Sequence, residues 1–378
     1  MSRIIAHYRL RCPAAEVQAR ARAIAVEQSV EMPLEGIRAA RVLAEIVGEV
    51  RAIEPLGEEQ FRVSIGLASE TVGGDPAQLL NMLFGNVSLL DWVTLEDATL
   101  PDELLAAFAG PRHGIAGLRA RVGAPRRALA CSALKPQGLP PAELADLAQE
   151  LALGGLDYLK DDHGLADQAY SPFARRVPAI AHAVARASQL SGQPTAYVPS
   201  LSGSLDVMRQ QVRIAREEGL TTLLIAPLTA GVATLAQLSS EHPEMAFLAH
   251  PSLGGAARLA PPLLFGRLFR LFGADATIFP NHGGRFGYSA TTCRAVAQAA
   301  RAPWAAVRPC LPVPAGGMTR ARVTEMLEFY GPDCMLLIGG NLLAAAEGPR
   351  AAAAAFVAGL RAYRFQAASA TLPAEPLP

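Results

Sequence analysis

Residues 154–164 read GGLDYLKDDHG, a glycine pair followed by a short apolar run that ends in a charged turn. An apolar run bounded by turn residues and followed by a helical stretch is typical of a buried strand in a parallel sheet. The same form occurs eight times between residues 127 and 341. In chain order the segments are RALACSALKP (127–136), LDYLKDD (156–162), TAYVPSLS (195–202), TTLLIAPLT (221–229), MAFLAHPS (245–252), DATIFPNHGG (275–284), WAAVRPCLPVPAGG (304–317) and CMLLIGGN (334–341).

Helical periodicity fills the intervening segments, as in LPPAELADLAQELAL (139–153) and PLLFGRLFRLFG (262–273). Eight alternating units of this kind over about 250 residues predict an α/β fold, a (β/α)8 or TIM barrel. The alternative is an open, doubly wound sheet. That fold would more often carry a glycine-rich nucleotide fingerprint after its first strand, and ALKPQGLP (133–140) is not one.

The first hundred residues mix strands and helices in a different order. RIIAHYRL (3–10) and FRVSIGLA (61–68) are predicted strands, and PAAEVQARARAIAVEQS (13–29) and DPAQLLNMLFG (75–85) are predicted helices. This order suits a small α+β domain of the ferredoxin-like kind, which ends near the glycine- and proline-rich break FAGPRHG (108–114). The predicted domains are therefore an N-terminal α+β domain (1–119), a catalytic barrel (120–367) and a flexible tail (368–378).

Composition argues against several classes of protein. Formal net charge is zero, so nothing indicates a nucleic-acid or membrane-surface partner. No apolar run approaches membrane-spanning length, and the start MSRIIAHYRLRCP lacks the apolar core of a signal peptide. The five cysteines are scattered and form no CxxC pair, which indicates reduced thiols rather than disulfides or a zinc site. We therefore expect a cytoplasmic protein.

Lysine is the rare residue of this chain. Only Lys135 and Lys160 occur among its 34 lysines and arginines. Arginine stays protonated in proteins, whereas lysine can lose its proton and act as a base or nucleophile. Active-site groups of a barrel lie at the carboxyl ends of its strands. Lys135 ends the first predicted strand and Lys160 the second, so both lysines fall on the predicted active-site rim.

Further polar residues end the same predicted strands. Lys160 and Asp162 are alternate residues, so both can point one way while Asp161 points elsewhere. They form either an ordinary ion pair or part of a metal site, and His163 is either a third ligand or a capping residue of the loop. His250, at the end of the fifth strand, is either a catalytic histidine or a core histidine.

A glycine pair follows each of the last two predicted strands. Their backbone N–H groups can hold phosphate, and the final strands of a barrel are the usual place for such a site. Taken singly, each pair is better explained by a turn, and it is the presence of two pairs on neighbouring final strands that favours phosphate binding. His282 and Arg285 lie in PNHGGRFG (280–287), a glycine-rich loop after the sixth strand that is able to move over the site. The paired residues are Gly316, Gly317, Gly339 and Gly340.

At these positions the sequence resembles the large chain of ribulose-bisphosphate carboxylase (RuBisCO). GGLDYLKDDH (154–163) resembles that family's GGLDFTKDDE, and the KDD within it is specific. The similar segments occur in family order and span roughly residues 20 to 350. They also include AVEQS (25–29) for AAESS, FGNV (84–87) for VGNVFG, LKPQGL (134–139) for IKPKLGL, PVPAGGM (312–318) for PVASGGI and LLIGGNLL (336–343) for FGGGTLGH.

The resemblance implies a carbamate at Lys160, formed with CO₂, which turns the amine into a carboxylate-like metal ligand. Asp162 would be the second ligand. Lys135 would match the base lysine after strand one, and His250 the histidine after strand five. The four paired glycines would hold phosphate.

The resemblance also implies a homodimer. In the family the active site lies between two subunits, and the partner's N-terminal domain contributes residues that match Glu27 and Asn86. The partners expected are therefore a second copy of the chain and a small sugar phosphate.

Several positions depart from the family pattern. The third metal ligand, a glutamate in the family, is His163, and imidazole suits Mn²⁺, Fe²⁺ or Zn²⁺ better than the otherwise expected Mg²⁺. The second lysine of KPK is Gln137, and the histidine–arginine pair after strand five is reduced to His250 and Pro251. The mobile-loop lysine is absent, and Arg285 is the nearest cation. These losses remove groups that carboxylation of a bisphosphate needs.

This pattern places the chain among the RuBisCO-like (form IV) proteins, which keep metal-assisted enolisation and lose CO₂ fixation. The expected activity is that of a metal-dependent enolase, isomerase or decarboxylase, acting on a phosphorylated keto-sugar or keto-acid sugar through an enediolate. Either Lys135 or the carbamate could take the proton. The alternatives are authentic carboxylation and a barrel that only binds or regulates.

Overall fold

The computed structural model describes residues 2–365, and the predicted tail at 368–378 lies outside the described residues. Within residues 2–365 the chain forms a four-stranded antiparallel sheet and an eight-stranded parallel sheet, each with its own helices. The predicted combination of an N-terminal α+β domain and a C-terminal barrel is confirmed.

The N-terminal sheet has the spatial strand order β2-β3-β1-β4. Two helices contact it, and the order along the chain is β1-α1-β2-β3-α2-β4, the ferredoxin-like arrangement. The Asp75 side chain caps the second helix by accepting hydrogen bonds from two backbone amides. The elements are β1 (Arg3–Arg11), α1 (Val17–Glu27), β2 (Glu49–Gly57), β3 (Gln60–Ala68), α2 (Pro76–Phe84) and β4 (Val93–Thr99).

Strands β2 and β4 were not predicted from the sequence, and both are the edge strands of this sheet. β2 reads EVRAIEPLG and has no fully buried residue, so its charges and Pro55 obscure the alternation of apolar and polar residues. β4 reads VTLEDAT and pairs with β1 from more than eighty residues away. Such pairing is non-local, and local patterning does not reveal it.

All eight predicted barrel strands are present. Neighbouring strands run parallel in the order β7-β6-β5-β12-β11-β10-β9-β8. A bridge between Ser200 and Leu224 joins the two ends of this order, so the sheet closes. The strands are β5 (Leu129–Leu134), β6 (Tyr158–Asp161), β7 (Ala196–Val198), β8 (Thr222–Ile225), β9 (Ala246–Ala249), β10 (Ala276–Pro280), β11 (Leu311–Ala315) and β12 (Met335–Leu337).

Helices surround the barrel and fill the connections between its strands. Proline begins several of them, where its missing N–H costs nothing. A π-helical turn at Pro262–Leu268 leads into one short helix. The helices after α2 are α3 (Asp102–Leu105), α4 (Gly114–Arg121), α5 (Pro141–Leu153), α6 (Phe173–Ser191), α7 (Leu205–Glu217), α8 (Pro227–Ala230), α9 (Val232–Glu241), α10 (Phe269–Leu271), α11 (Ala290–Arg301), α12 (Val323–Tyr330), α13 (Gly340–Leu343) and α14 (Pro349–Ala362).

Alternate residues of each barrel strand enter two different hydrophobic clusters. Tyr158 of β6 belongs to the cluster that fills the barrel, whereas Leu159 belongs to the cluster shared with the surrounding helices. The Tyr158 hydroxyl donates to the carbonyl of Leu118 in α4, so that helix covers the amino-terminal end of the barrel. By the same alternation, Lys160 and Asp162 lie on the inner face and Asp161 on the outer face.

The N-terminal domain rests on the barrel through β4. The amide of Leu95 donates to Arg258, and the amide of Ala260 donates back to Leu95. Arg267 forms an ion pair of 2.7 Å with Asp97. Among the helices of residues 2–365, none combines the length and the apolar character needed to cross a membrane.

Candidate active site

Lys160 lies on the inner face of β6 and is 3% exposed. Its Nζ donates a 2.8 Å hydrogen bond to the carbonyl oxygen of Asp161. Burial lowers the pKa of Lys160 and outweighs the opposite influence of Cys131 and Asp162. The amine is therefore easier to deprotonate than a lysine on the surface.

Asp162 is the centre of the site. One carboxylate oxygen contacts the Nζ of Lys135, and the other lies 2.8 Å from Nδ1 of His163 and accepts a 3.0 Å hydrogen bond from the amide of Gly164. Burial alone would raise the pKa of Asp162, but the hydrogen bonds from His163, Lys135 and Gly164 hold that pKa well below its usual range. Asp162 is therefore a carboxylate surrounded by three hydrogen-bond donors.

The two predicted histidines meet face to face. The rings of His163 and His250 stack with their centroids 4.3 Å apart and their planes within 9°. The amide of Ser252 donates to Nδ1 of His250, and the Ser252 hydroxyl lies 2.8 Å from the same nitrogen. Burial, aided by the nearby Lys160, lowers the pKa of His250 to about 2. His250 is therefore neutral, and with Nδ1 as an acceptor its proton resides on Nε2.

The structure thus brings together five of the residues predicted from the sequence, which we call the rim cluster. They come from the carboxyl ends of the neighbouring strands β5 and β6 and from the end of β9, which is adjacent to neither in the barrel. The members are Lys135, Lys160, Asp162, His163 and His250.

The donor atoms of the rim cluster fit a divalent metal on one condition. No group of three or more histidine, cysteine, aspartate or glutamate side chains that could hold a metal occurs in residues 2–365. Nδ1 of His163 donates to Asp162 here; without that proton, it and the Asp162 oxygen would be two ligand atoms 2.8 Å apart, close to the ~3 Å between neighbouring ligands of a cation bound at about 2.1 Å. Lys160 lies on the same face, but an ammonium cannot coordinate a metal. A third protein ligand exists only if Lys160 carries a carboxylate.

The four paired glycines lie after β11 and β12, as predicted. None of their amides donates a hydrogen bond to another group within residues 2–365. A side chain at Gly340 would meet nothing within 4 Å, and one at Gly339 would meet only the Lys135 side chain at 3.9 Å. Gly316 and Gly317 have positive φ values of 84° and 65°. These amides are available to an anionic group, and Gly339 lies beside Lys135.

The loop after β10 is built differently from the rim cluster. Asn281 is buried, where it accepts from the hydroxyl of Tyr330 at 2.6 Å. The ring of His282 lies against Phe329, 4.6 Å between centroids, and the guanidinium of Arg285 lies over the ring of Phe286. Neither His282 nor Arg285 contacts a rim-cluster residue in the described part of the chain.

Glu27 and Asn86 meet in the N-terminal domain. The amide nitrogen of Asn86 donates to Glu27 at 2.9 Å and to Glu31 at 3.1 Å. They line a cavity of about 240 Å³ together with Gln78. Within residues 2–365 none of these side chains bonds to the rim cluster of the same chain.

Two groups that act on the rim cluster were missed from the sequence. Ser252 fixes the tautomer of His250, and its position two residues further on could have signalled this role. Arg176 lies in α6, fifteen residues beyond Asp161, whose carboxylate it contacts at 3.3 Å. No local signal marks Arg176, because a helix brings it back to the strand.

Comparisons with known proteins agree with this geometry. The family model described as ribulose bisphosphate carboxylase large chain, catalytic domain, matches residues 114–260. The chain is 58% identical over 357 residues to the 5-methylthioribulose-1-phosphate isomerase of Rhodospirillum rubrum, covering 94% of this chain and 96% of that one. It is 56% identical over 356 residues to ribulose bisphosphate carboxylase-like protein 1 of Rhodopseudomonas palustris, covering 94% and 97%. The crystal structure of a Rubisco-like protein from Rhodopseudomonas palustris is similar with a TM-score of 0.91 at 48% identity, covering 97% of this chain and all of that one.

Proposed function

This chain belongs to the RuBisCO-like proteins of the RuBisCO large-chain family, and we propose that it is an isomerase of 5-methylthioribulose 1-phosphate that does not fix CO₂. The substrate is the one named for the Rhodospirillum rubrum relative, which is 58% identical along almost the whole chain. It carries one phosphate, in keeping with the site, where Pro251 follows His250 in place of an arginine that could clamp a second phosphate.

One observation carries the proposal: both lysines of the chain converge on a single carboxylate. Lys135 contacts Asp162 directly, and Lys160 lies buried two residues before Asp162 on the same face of β6. The two lysines are not needed for solubility, since arginine supplies the positive surface charge. Unlike arginine, lysine can lose its proton. It suits a reaction that moves a proton next to a carbonyl group.

We place a divalent metal at a carbamate of Lys160, Asp162 and His163. The lowered pKa of Lys160 favours the neutral amine, which is the form that reacts with CO₂. When bound, the metal would polarise the substrate carbonyl and stabilise negative charge on oxygen. With an imidazole nitrogen in the set, Mn²⁺, Fe²⁺ and Zn²⁺ are candidates besides Mg²⁺.

The remaining side chains account for the proton transfer. Lys135, or the carbamate of Lys160, takes the proton from the carbon next to the carbonyl and later returns a proton to the resulting enediolate, so that no atom is gained or lost. Neutral His250 offers its Nε2–H to a substrate oxygen, because Ser252 occupies Nδ1. General-base catalysis, by Lys135 or by the carbamate, typically raises the rate by a factor of about 10² to 10⁴.

The substrate phosphate would bind to the free amides of the two glycine pairs. Gly339 lies beside the Lys135 side chain, so a phosphate there would lie close to the lysine amine as well as to backbone N–H donors. The amides at Gly316 and Gly317 complete the site from the neighbouring strand. This arrangement places the phosphate at the final strands of the barrel, where such folds usually bind it.

The functional unit that we propose is a homodimer. Glu27 and Asn86 are paired with each other and do not bond to the rim cluster of their own chain within residues 2–365. The segment that follows, residues 31–48, exposes apolar side chains, with Met32 41% and Leu43 44% exposed. A second subunit whose barrel mouth meets this face would cover the apolar segment and receive Glu27 and Asn86.

Deuterium exchange tests the proposed chemistry. In D₂O with bicarbonate and Mg²⁺ or Mn²⁺, the wild-type chain should exchange the proton next to the carbonyl of 5-methylthioribulose 1-phosphate and accumulate an isomer, both visible by NMR. Lys160→Ala and Lys135→Met should lower the rate by about 10² or more. His182→Ala is the control, because His182 is an exposed residue of α6 whose one ion-pair partner within residues 2–365 is Glu218.

Two results would contradict the proposal. If the chain binds metal but catalyses neither exchange nor isomerisation, it is a binding protein and not an enzyme. If Lys160→Ala keeps full turnover, a carbamate at Lys160 has no part in the reaction. Ribulose 1,5-bisphosphate with labelled CO₂ tests the carboxylase alternative, and we expect no incorporated label because the loop after β10 offers no lysine.

A further inference from the structure

A fully buried guanidinium lies directly behind the rim cluster. Arg176 of α6 is 0% exposed. Its Nε donates to the carboxylate of Asp161 at 3.3 Å, and its Nη1 donates to the carbonyls of Ala166 at 2.8 Å and Ser171 at 2.5 Å. One side chain thus ties the last residue of β6 to two points of the loop that follows it.

The Asp161 carboxylate has two further donors. It accepts a 2.8 Å hydrogen bond from the hydroxyl of Tyr197 in β7 and a 3.1 Å bond from the amide of Ser200. Asp161 is itself 0% exposed. Three elements of the fold, β7, the loop after it and α6, therefore converge on this single outward-facing carboxylate.

Fixing Asp161 fixes its two neighbours. Successive strand residues point to opposite faces, so an Asp161 held outward leaves Lys160 and Asp162 facing the barrel mouth. The backbone carbonyl of Asp161 also accepts the hydrogen bond from Lys160 Nζ. The loop held by Arg176 begins with Asp162 and His163, the two residues whose donor atoms lie 2.8 Å apart.

We propose that Arg176 is a positioning residue, which acts through Asp161 and the loop carbonyls, with Tyr197 in support, to hold Lys160, Asp162 and His163 in the arrangement that binds metal. The inference rests on the proposed function for the chemistry of the site. Partners that orient the ligands of a metal typically change its affinity 10- to 100-fold when they are removed.

The contacts of Arg176 differ from those of another fully buried arginine of the chain. Its Nη2 has no hydrogen-bond partner in residues 2–365, a costly state for a buried donor. Arg270 provides the contrast, since it is also 0% exposed but donates only to backbone carbonyls, those of Arg308, Ala299, Ala302 and Val307. In the described part of the chain Arg270 secures a loop and donates to no rim-cluster residue, so it is a matched control for a buried guanidinium.

The experiment compares Arg176→Lys and Tyr197→Phe with Arg270→Lys. Lysine keeps the charge but loses the planar fork that reaches several acceptors at once. We expect both lysine variants to lower the melting temperature of the metal-free protein. Arg176→Lys should also weaken Mn²⁺ binding, measured by calorimetry, about 10- to 100-fold and reduce the ¹³C-bicarbonate carbamate signal in NMR, whereas Arg270→Lys should change neither.

Tyr197→Phe removes one hydrogen bond without altering a charge, so it keeps the test valid if Arg176→Lys does not fold. It should weaken Mn²⁺ binding while it lowers the melting temperature less than Arg176→Lys does, because only one buried hydrogen bond is lost. Wild-type Mn²⁺ affinity in both Arg176→Lys and Tyr197→Phe would overturn the positioning role.

If the wild-type chain itself binds no Mn²⁺, the proposed function fails separately, and crystal structures then decide the positioning role. Asp162 and His163 displaced in Arg176→Lys would support it, whereas side chains left in place would overturn it.

Discussion

At the scale of the residue, the chemistry depends on where lysine is used. Lys160 is 3% exposed and burial lowers its pKa, so the neutral amine is within reach. An arginine in the same place would stay protonated and could not be converted into a metal ligand. The sequence marked both lysines by their rarity, but it could not show that Lys135 contacts Asp162, because the two residues lie on neighbouring strands.

Lys160→Ala should abolish metal binding that depends on bicarbonate. A ligand that binds only the folded state raises the melting temperature. For the wild type we expect such a rise with Mg²⁺, Mn²⁺ or Zn²⁺ that needs bicarbonate, measured by thermal unfolding, and no rise for the variant. A rise in melting temperature that depends on neither bicarbonate nor Lys160 would indicate an ordinary ion site and would exclude the proposed carbamate.

At the scale of the element, the eight barrel strands were predictable and the edge strands of the N-terminal sheet were not. A barrel strand such as β9, AFLA, is buried at every residue, so its apolar run is continuous. The edge strand β2 carries charges and a proline and has no fully buried residue. Its existence depends on pairing with β3, which local patterning does not encode.

The glycine loops also differ in a way that the sequence did not show. Gly317 has a φ of 65°, and a Cβ there would collide with the backbone of Gly284. Gly340 begins α13 and has open space where a Cβ would point. The first glycine is therefore required by the loop itself, whereas the second is required only by whatever binds beside it.

Gly317→Ala should lower the free energy of unfolding by about 1 to 3 kcal/mol, since it combines a left-handed backbone with a steric clash. Gly340→Ala is the matched substitution and should leave stability almost unchanged while it raises KM for the phosphorylated substrate. Chemical denaturation and steady-state kinetics separate the two effects. Equal stability of both variants would contradict the role given to Gly317.

At the scale of the whole molecule, the two groups of predicted site residues remain apart within one chain. The rim cluster lies at the barrel mouth, and Glu27 with Asn86 lies on the N-terminal domain beside the exposed apolar segment 31–48. In a symmetric dimer, the rim cluster of each subunit would meet the Glu27 and Asn86 side chains of the other subunit. The strand ends of the sequence pointed to the rim cluster, whereas Glu27 and Asn86 were predicted only through the family resemblance. An assembly is what would unite the two groups.

Mixing two inactive variants tests this arrangement. Lys160→Ala and Glu27→Ala should each be inactive alone, because each lacks one half of every site. Dissociated and reassociated together, they should recover about a quarter of the wild-type rate, since half of the dimers are mixed and each of those has one intact site. No recovery under conditions in which wild-type subunits do regain activity would place the whole site within one chain.

The sequence by itself predicted eight strand-helix units, because each strand is a mostly apolar run that ends in polar or glycine-rich residues, and it indicated which residue types carry the chemistry. Closure of those strands into a barrel was seen only in the structure. Only the tertiary structure decided which of those residues meet. Three contacts join residues from different strands and a helix. His163 stacks on His250, Lys135 contacts Asp162, and Arg176 forms an ion pair with Asp161. These contacts depend on closure of the sheet and on helix packing, and the spacing of residues along the sequence reveals neither.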